Sequence, residues 1–159
     1  MGRAAPQIAP VDMKAVVAGI LESARFQLEQ ARAVVEVDPL PSCQGDATYL
    51  AQVFANLVDN ALKYQDSSRP PRIHLSGSRQ GDQSVYTVSD NGIGIPTAHQ
   101  SKIFEIFHRL NPSATPGEGM GLTIAQRILE RQHGKIWLES VPGVGSTFFV
   151  SLPAASPAH

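Results

Sequence analysis

The chain lacks a second cysteine: Cys43 stands alone, so no intrachain disulfide framework holds the fold, and a reducing compartment suits it. An excess of one charge is also missing. Thirteen Lys and Arg against fourteen Asp and Glu leave a net charge of −1, without the polybasic footprint of a nucleic-acid or anionic-membrane binder. No apolar run approaches the roughly 20 residues of a membrane helix. Met1 to Pro6 has neither the apolar stretch of a signal peptide nor the Ser or Thr of a myristoylation signal. A soluble cytoplasmic domain is expected, either whole or part of a longer product. Gly-x-x-x-x-Gly-Lys-Ser/Thr is absent, which argues against a P-loop, and the glycines miss the Rossmann spacing after a first strand. His74, His99, His108 and His133 show no metal-ligand spacing and read as surface or packing residues.

What the sequence does contain is one domain's worth of patterned chain, 159 residues with 42% hydrophobic. Residues 1–11, with two prolines, read as a linker or edge; 12–153 as the domain; 154–159 as a frayed tail. Asp12 caps a helix expected to reach about Ala33, with Val16, Val17, Ile20, Leu21, Ala24 and Leu28 on its apolar face. Val34 to Val37 is a short strand. Asp46 caps a second helix running to about Tyr64, whose stripe is Leu50, Val53, Phe54, Leu57, Ala61 and Leu62. Arg72–Ser76 and Val85–Ser89 form a hairpin across Gly81-Asp82, and Ser101 to Leu110 is a short helix. Asn111 to Glu118 has the composition of a mobile lid. A helix from Met120 to about Gln132 closes at His133-Gly134, and two strands, Lys135–Ser140 and Ser146–Leu152, end the chain. This order argues for an α+β fold: a two-layer α/β sandwich with a mixed sheet covered by helices on one face.

Chemistry concentrates in two glycine-bearing stretches, Asp90-Asn91-Gly92-Ile93-Gly94-Ile95 and Gly117-Glu118-Gly119-Met120-Gly121-Leu122. Glycine lets backbone pass close to a ligand, and N–H groups freed at a helix start make an anion cradle, so the second stretch is a candidate phosphate site. Asn56, Asn60 and Lys63 stand at i, i+4 and i+7 on one helix face. Asn60 offers a carbonyl oxygen of the kind Mg²⁺ takes; by itself it is equally a solvent-facing residue. Lys63 suits a phosphate as a point charge, or simply the helix dipole. Asp90 is a candidate acceptor for an exocyclic amine such as adenine presents, although Asp-Asn-Gly is also an ordinary turn. Tyr64 fits either against a base or in the core.

The ordered set of motifs resembles the catalytic domains of bacterial sensor histidine kinases. Leu50 to Tyr64 is similar to their asparagine box, Asp90 to Ile95 to the first glycine box, Ile103 to Arg109 to the phenylalanine box and Pro116 to Leu122 to the second glycine box. Gly143 to Phe148 is similar to the closing glycine segment. The match covers about residues 12–153. Ile136 to Ser140 and the phenylalanine box look most like the kinase modules of phytochrome-type receptors, while Ile106 stands where many members have proline.

The resemblance implies the Bergerat ATP-binding fold, with ATP and Mg²⁺. Asn60 would ligate Mg²⁺ with help from Asn56; Lys63 and Arg109 would act on the phosphates; Tyr64 would flank the adenine and Asp90 bind its amino group. Gly92, Ile93, Gly94, Ile95, Phe107 and Thr147 complete the implied nucleotide set, and Gly117, Gly119, Met120, Gly121 and Leu122 shape the lid. Asn56 occupies the place where the related ATPases carry a water-activating glutamate, which favours phosphoryl transfer to a protein over hydrolysis. No His-Glu-x-x-x-Pro-like acceptor is present, so the implied partners are a dimerisation and phosphoacceptor helical hairpin and a response-regulator receiver domain, with the isolated domain monomeric. Other roles on the same fold are a non-catalytic ATP-binding interaction module and a serine kinase of the anti-sigma-factor type.

Overall fold

The computed structural model describes residues 5–100, 103–104 and 121–155. Its elements are β1 (Ala9–Val11), α1 (Met13–Ser23), α2 (Arg25–Ala31), β2 (Val34–Val37), β3 (Cys43–Gly45), α3 (Ala47–Lys63), β4 (Arg72–Gln80), β5 (Gln83–Asp90), α4 (Thr97–Gln100), α5 (Gly121–Glu130), β6 (Lys135–Val141) and β7 (Gly145–Pro153). The main sheet runs β2-β4-β5-β7-β6, with β2 and β4 parallel and the other neighbours antiparallel. It is therefore mixed, with α1, α3 and α5 in the layer against it, as expected.

Side chains alternate across a strand, so the registers divide the sheet into rows. Toward the helices lie Leu75, Val88, Phe148 and Leu138 in one row, and Gly77, Tyr86, Val150 and Ile136 in the next. Val88, Tyr86, Phe148 and Val150 are buried, as are Leu50, Val53, Phe54 and Leu57 of α3 and Leu129 of α5. Phe54 meets Tyr86 edge to face, with ring centroids 5.8 Å apart, pinning α3 to β5. The opposite sheet face carries Ser89 hydrogen-bonded to Thr147 at 2.9 Å and Trp137 stacked on Phe149 at 5.3 Å. That face also bears Val34, Val85 and Val141 but is otherwise mainly polar, which suits a two-layer sandwich.

α3 forms where the sequence places it. The Asp46 carboxylate accepts from the N–H groups of Thr48 and Tyr49 at 3.1 and 3.4 Å, and the apolar stripe faces the core. Three local features differ from expectation. The helix opened by Asp12 is two helices broken at Ala24, a residue that marks no break in sequence because it has both an N–H and a Cβ. Ala9–Val11, inside the expected linker, is a strand paired with Cys43–Gly45, and Val11 is buried. The turn closing α5 holds its left-handed residue at His133 (φ 62°) rather than at Gly134; histidine is among the side chains that tolerate this conformation. The expected helix at 101–110 and the lid at 111–118 lie outside the described residues, Ile103 and Phe104 excepted.

Candidate nucleotide-binding site

The two core-facing rows through Val88 and Tyr86 are apolar, whereas at the end of β5 the next row is Ile73, Asp90, Ser146 and Ser140. A carboxylate and two hydroxyls thus take the place of Val, Phe and Leu on the face that packs against α3. With Asn60, Tyr64, Gly94, Ile95, Leu122 and Phe148, Asp90 and Ser146 line a cavity of about 20 Å³, room for a water-sized molecule. Sheet, asparagine helix, first glycine box and the start of α5 meet there.

Asp90 is held from two sides. Its carboxylate accepts from the Gly92 N–H at 2.8 Å and from the Ser146 backbone N–H. Burial outweighs these donors and pushes its pKa above the usual carboxylate range. Ser140 Oγ accepts from the Ile95 N–H at 2.7 Å, lies 3.0 Å from the Gly145 carbonyl and 2.8 Å from Ser146 Oγ. When Ser140 donates to Gly145, the Ser146 hydroxyl proton goes to Ser140, leaving Ser146 an acceptor toward the cavity. The turn after Asp90 is stitched to its surroundings by Ile93 N–H to the Tyr64 carbonyl at 3.0 Å and Gly143 N–H to the Ile93 carbonyl at 2.7 Å. Glycine is obligatory at 94: φ is +73°, and a Cβ would come within 2.3 Å of the Val141 carbonyl oxygen.

Of the residues expected from the sequence, Asn60, Tyr64, Asp90, Gly94, Ile95 and Leu122 come together around this cavity. Gly92 is beside them, its N–H on Asp90. Gly121 begins α5. Asn56 lies one turn before Asn60 on α3, and Lys63, exposed, reaches Asp59 at 2.9 Å. Ile93 is 47% exposed and lends the site its backbone rather than its side chain. Phe107, Arg109, Gly117, Gly119 and Met120 lie outside the described residues.

Thr147 is not brought to the cavity. It pairs with Ser89 across the strands and the two hydroxyls bond on the far face, while Ser146, one residue earlier, points inward. A one-residue step along a strand reverses the face, so the hydroxyl at the site belongs to Ser146.

Two contributors were missed in the sequence. Ser140 was read only as the end of a strand; its register opposite Ser146 places it. Arg69 lies between the asparagine helix and the hairpin, outside every motif of the sequence. Its Nε donates to the Asn91 carbonyl at 2.7 Å and its Nη2 lies 3.0, 2.9 and 3.1 Å from the carbonyls of Gly92, Gly143 and Val144. An arginine before two prolines in a loop carries no periodic signal, so nothing local announces this.

The model of the histidine kinase-, DNA gyrase B- and HSP90-like ATPase family matches residues 45–156, and the chain belongs to that family. Within it, this is an ATP-binding catalytic domain of the histidine-kinase type. It is 41% identical over 148 residues, 92% of its length, to the phytochrome-like protein Cph1 of Synechocystis sp.. It is 37% identical, again over 92% of its length, to the adaptive-response sensory kinase SasA of Thermosynechococcus vestitus. The chain spans 20% and 39% of the lengths of those two proteins. Among solved structures, a mycobacterial sensor histidine kinase, MprB, superposes with a TM-score of 0.78 at 26% identity, covering 92% of this chain and 98% of that one. Full-length ShkA in complex with AMPPNP gives 0.82 at 26% identity, covering 99% of this chain and 34% of that one. The phytochrome-type likeness of the sequence is thus met among its relatives. No helix among the described residues is long and apolar enough to cross a membrane.

Proposed function

We propose that this chain binds ATP with Mg²⁺ and passes the γ-phosphoryl group to a histidine on a dimerisation hairpin, the first step of two-component signalling in the cytoplasm. The observation that carries the proposal is the Asp90 carboxylate, half-buried at the end of β5 and set in place by two backbone N–H donors while facing a cavity. A desolvated acceptor so held suits a neutral amine donor, and adenine presents one. Tyr64 and Leu122 on the same cavity offer apolar surface to the ring.

The donor set fits Mg²⁺ in a limited way. Among the described residues no group of three or more His, Cys, Asp or Glu is placed to hold a metal ion, so a cation here takes most of its ligands from phosphate and water, as Mg²⁺ does. Asn60, with Asn56 one turn away, would hold it, and bound there it would neutralise charge on the transferring phosphoryl group. The Asn56 amide cannot take a proton from water, which leaves the phosphoryl group for a nucleophile on another domain. Lys63 acts on the phosphates as a point charge, Arg109 takes the terminal phosphate, and Ser146 replaces Thr147 in the nucleotide set. The receiver domain of a response regulator takes the phosphoryl group next.

The test is incubation of the full-length protein with γ-labelled ATP. An acid-labile phosphoprotein that disappears in Asn60→Ala is expected. Acid-stable label would indicate a serine acceptor, and ATP binding without any label would indicate a binding module; either overturns the histidine assignment.

A further inference from the structure

We propose that Arg69 is the positioning residue that sets the orientation of Asp90 and thereby the preference of the site for adenine; the inference rests on the nucleotide-site reading above. It comes from how two consecutive peptide units are gripped. In a trans peptide the carbonyl and the following N–H point in opposite directions. The Asn91 carbonyl accepts from Arg69 Nε at 2.7 Å, and the Gly92 N–H of that same unit donates to the Asp90 carboxylate at 2.8 Å. The Gly92 carbonyl takes Arg69 Nη2 at 3.0 Å, and the Ile93 N–H of that unit donates to the Tyr64 carbonyl at 3.0 Å. One guanidinium therefore pulls on the outer end of both units, while their inner ends fix Asp90 and the C-cap of α3.

The same Nη2 reaches the Gly143 and Val144 carbonyls in the β6–β7 turn at 2.9 and 3.1 Å. Asp66, whose carboxylate lies 3.6 Å from Nη2, is itself held by the Ser68 N–H and hydroxyl at 2.9 and 2.7 Å. Arg69 is thus a bridge between the first glycine box and the closing glycine segment, two loops that approach each other only in the folded state. A planar fork takes the Asn91 carbonyl through Nε while Nη2 serves Gly92, Gly143 and Val144; an ammonium, with one nitrogen, cannot occupy both positions at once. A charged donor on one end of a peptide also strengthens the hydrogen bond made by the other end, which is the bond on Asp90.

Positioning of this kind has a signature that simple stabilisation lacks. Asp90 accepts from the 6-amino group of adenine, whereas guanine presents a carbonyl there, so a fixed Asp90 raises ATP affinity without raising GTP affinity. Arg69→Ala and Arg69→Lys would be compared with wild type by calorimetric titration with ATP and with GTP, at a temperature where all three show the same far-ultraviolet circular dichroism. Wild type is expected to prefer ATP, and Arg69→Ala to weaken ATP by about tenfold while leaving GTP nearly unchanged, the loss expected of a misplaced contact group. Arg69→Lys, which keeps the charge and is the milder change, is expected to recover less than half of the lost preference. Equal losses for both nucleotides, or an unchanged ratio in both variants, would overturn the role of Arg69. A wild type with no preference for ATP would instead overturn the adenine assignment of Asp90, and this inference with it.

Discussion

Replacing Asp90 by Asn should weaken ATP binding and stabilise the folded domain at the same time. The carboxylate is half-buried, and this desolvation raises its pKa despite the Gly92 and Ser146 N–H donors. A folded-state pKa above the unfolded value means that the folded state holds the proton more tightly. That contribution to stability is fully present below the unfolded pKa and is lost as pH rises through the folded one. Above the folded-state pKa the wild type carries an ionised, partly desolvated carboxylate, and Asn, nearly isosteric and still able to accept from Gly92, removes that cost. For binding the sign is opposite. A hydrogen bond to a charged acceptor contributes about 1.5–3 kcal/mol, which is roughly a 10- to 150-fold change in Kd. An Asn that keeps its oxygen on Gly92 turns its NH₂ toward the amine, donor against donor. Calorimetric titration at pH 7.5 should show a loss of that size, and thermal melts should show a Tm equal to or above that of wild type, the gap closing as pH is lowered. In the wild type, ATP affinity should fall as pH drops through the pKa of Asp90, because the ionised carboxylate is the stronger acceptor for the amine. A variant that bound ATP within twofold of wild type would refute the amine assignment, and one that bound weakly only because it melted earlier would refute the burial argument.

Two further outcomes test the geometry around Asp90. Gly94→Ala places a Cβ against the Val141 carbonyl in a left-handed conformation, and backbone cannot yield as a side chain would. A loss of about 2–5 kcal/mol is expected in urea unfolding, from strain and overpacking together, whereas a loss under 1 kcal/mol would mean that the two turns are not in contact. Ser146→Ala should weaken ATP binding by roughly fivefold, the value of one neutral hydrogen bond; Thr147→Ala, on the far face, should leave it unchanged. The reverse pattern in equilibrium titrations would move the hydroxyl back to Thr147.

The asparagine helix was legible because three signals coincide there: a capping aspartate, an apolar stripe at helical spacing and a polar face bearing Asn56, Asn60 and Lys63. The strand ending in Asp90 was legible for a similar reason, since a β-branched run stops at a carboxylate followed by glycines. These are local patterns, with neighbours in sequence that are neighbours in space. The break at Ala24 and the pairing of Ala9–Val11 with Cys43–Gly45 have no such local mark, because packing rather than intrinsic preference produces them.

The sequence alone was therefore enough to determine the class of fold, the family, and the helix and loop that supply Asn60, Tyr64 and Asp90. Which serine or threonine faces the cavity beside Asp90 was decided by strand register, since a shift of one residue exchanges the two faces of the sheet. Ser140 and Arg69 were decided by tertiary structure in the same sense. Ser140 reaches Ile95 across 45 residues and Arg69 reaches Val144 across 75, distances over which composition and periodicity carry no information, while hydrogen-bond geometry in the folded chain does.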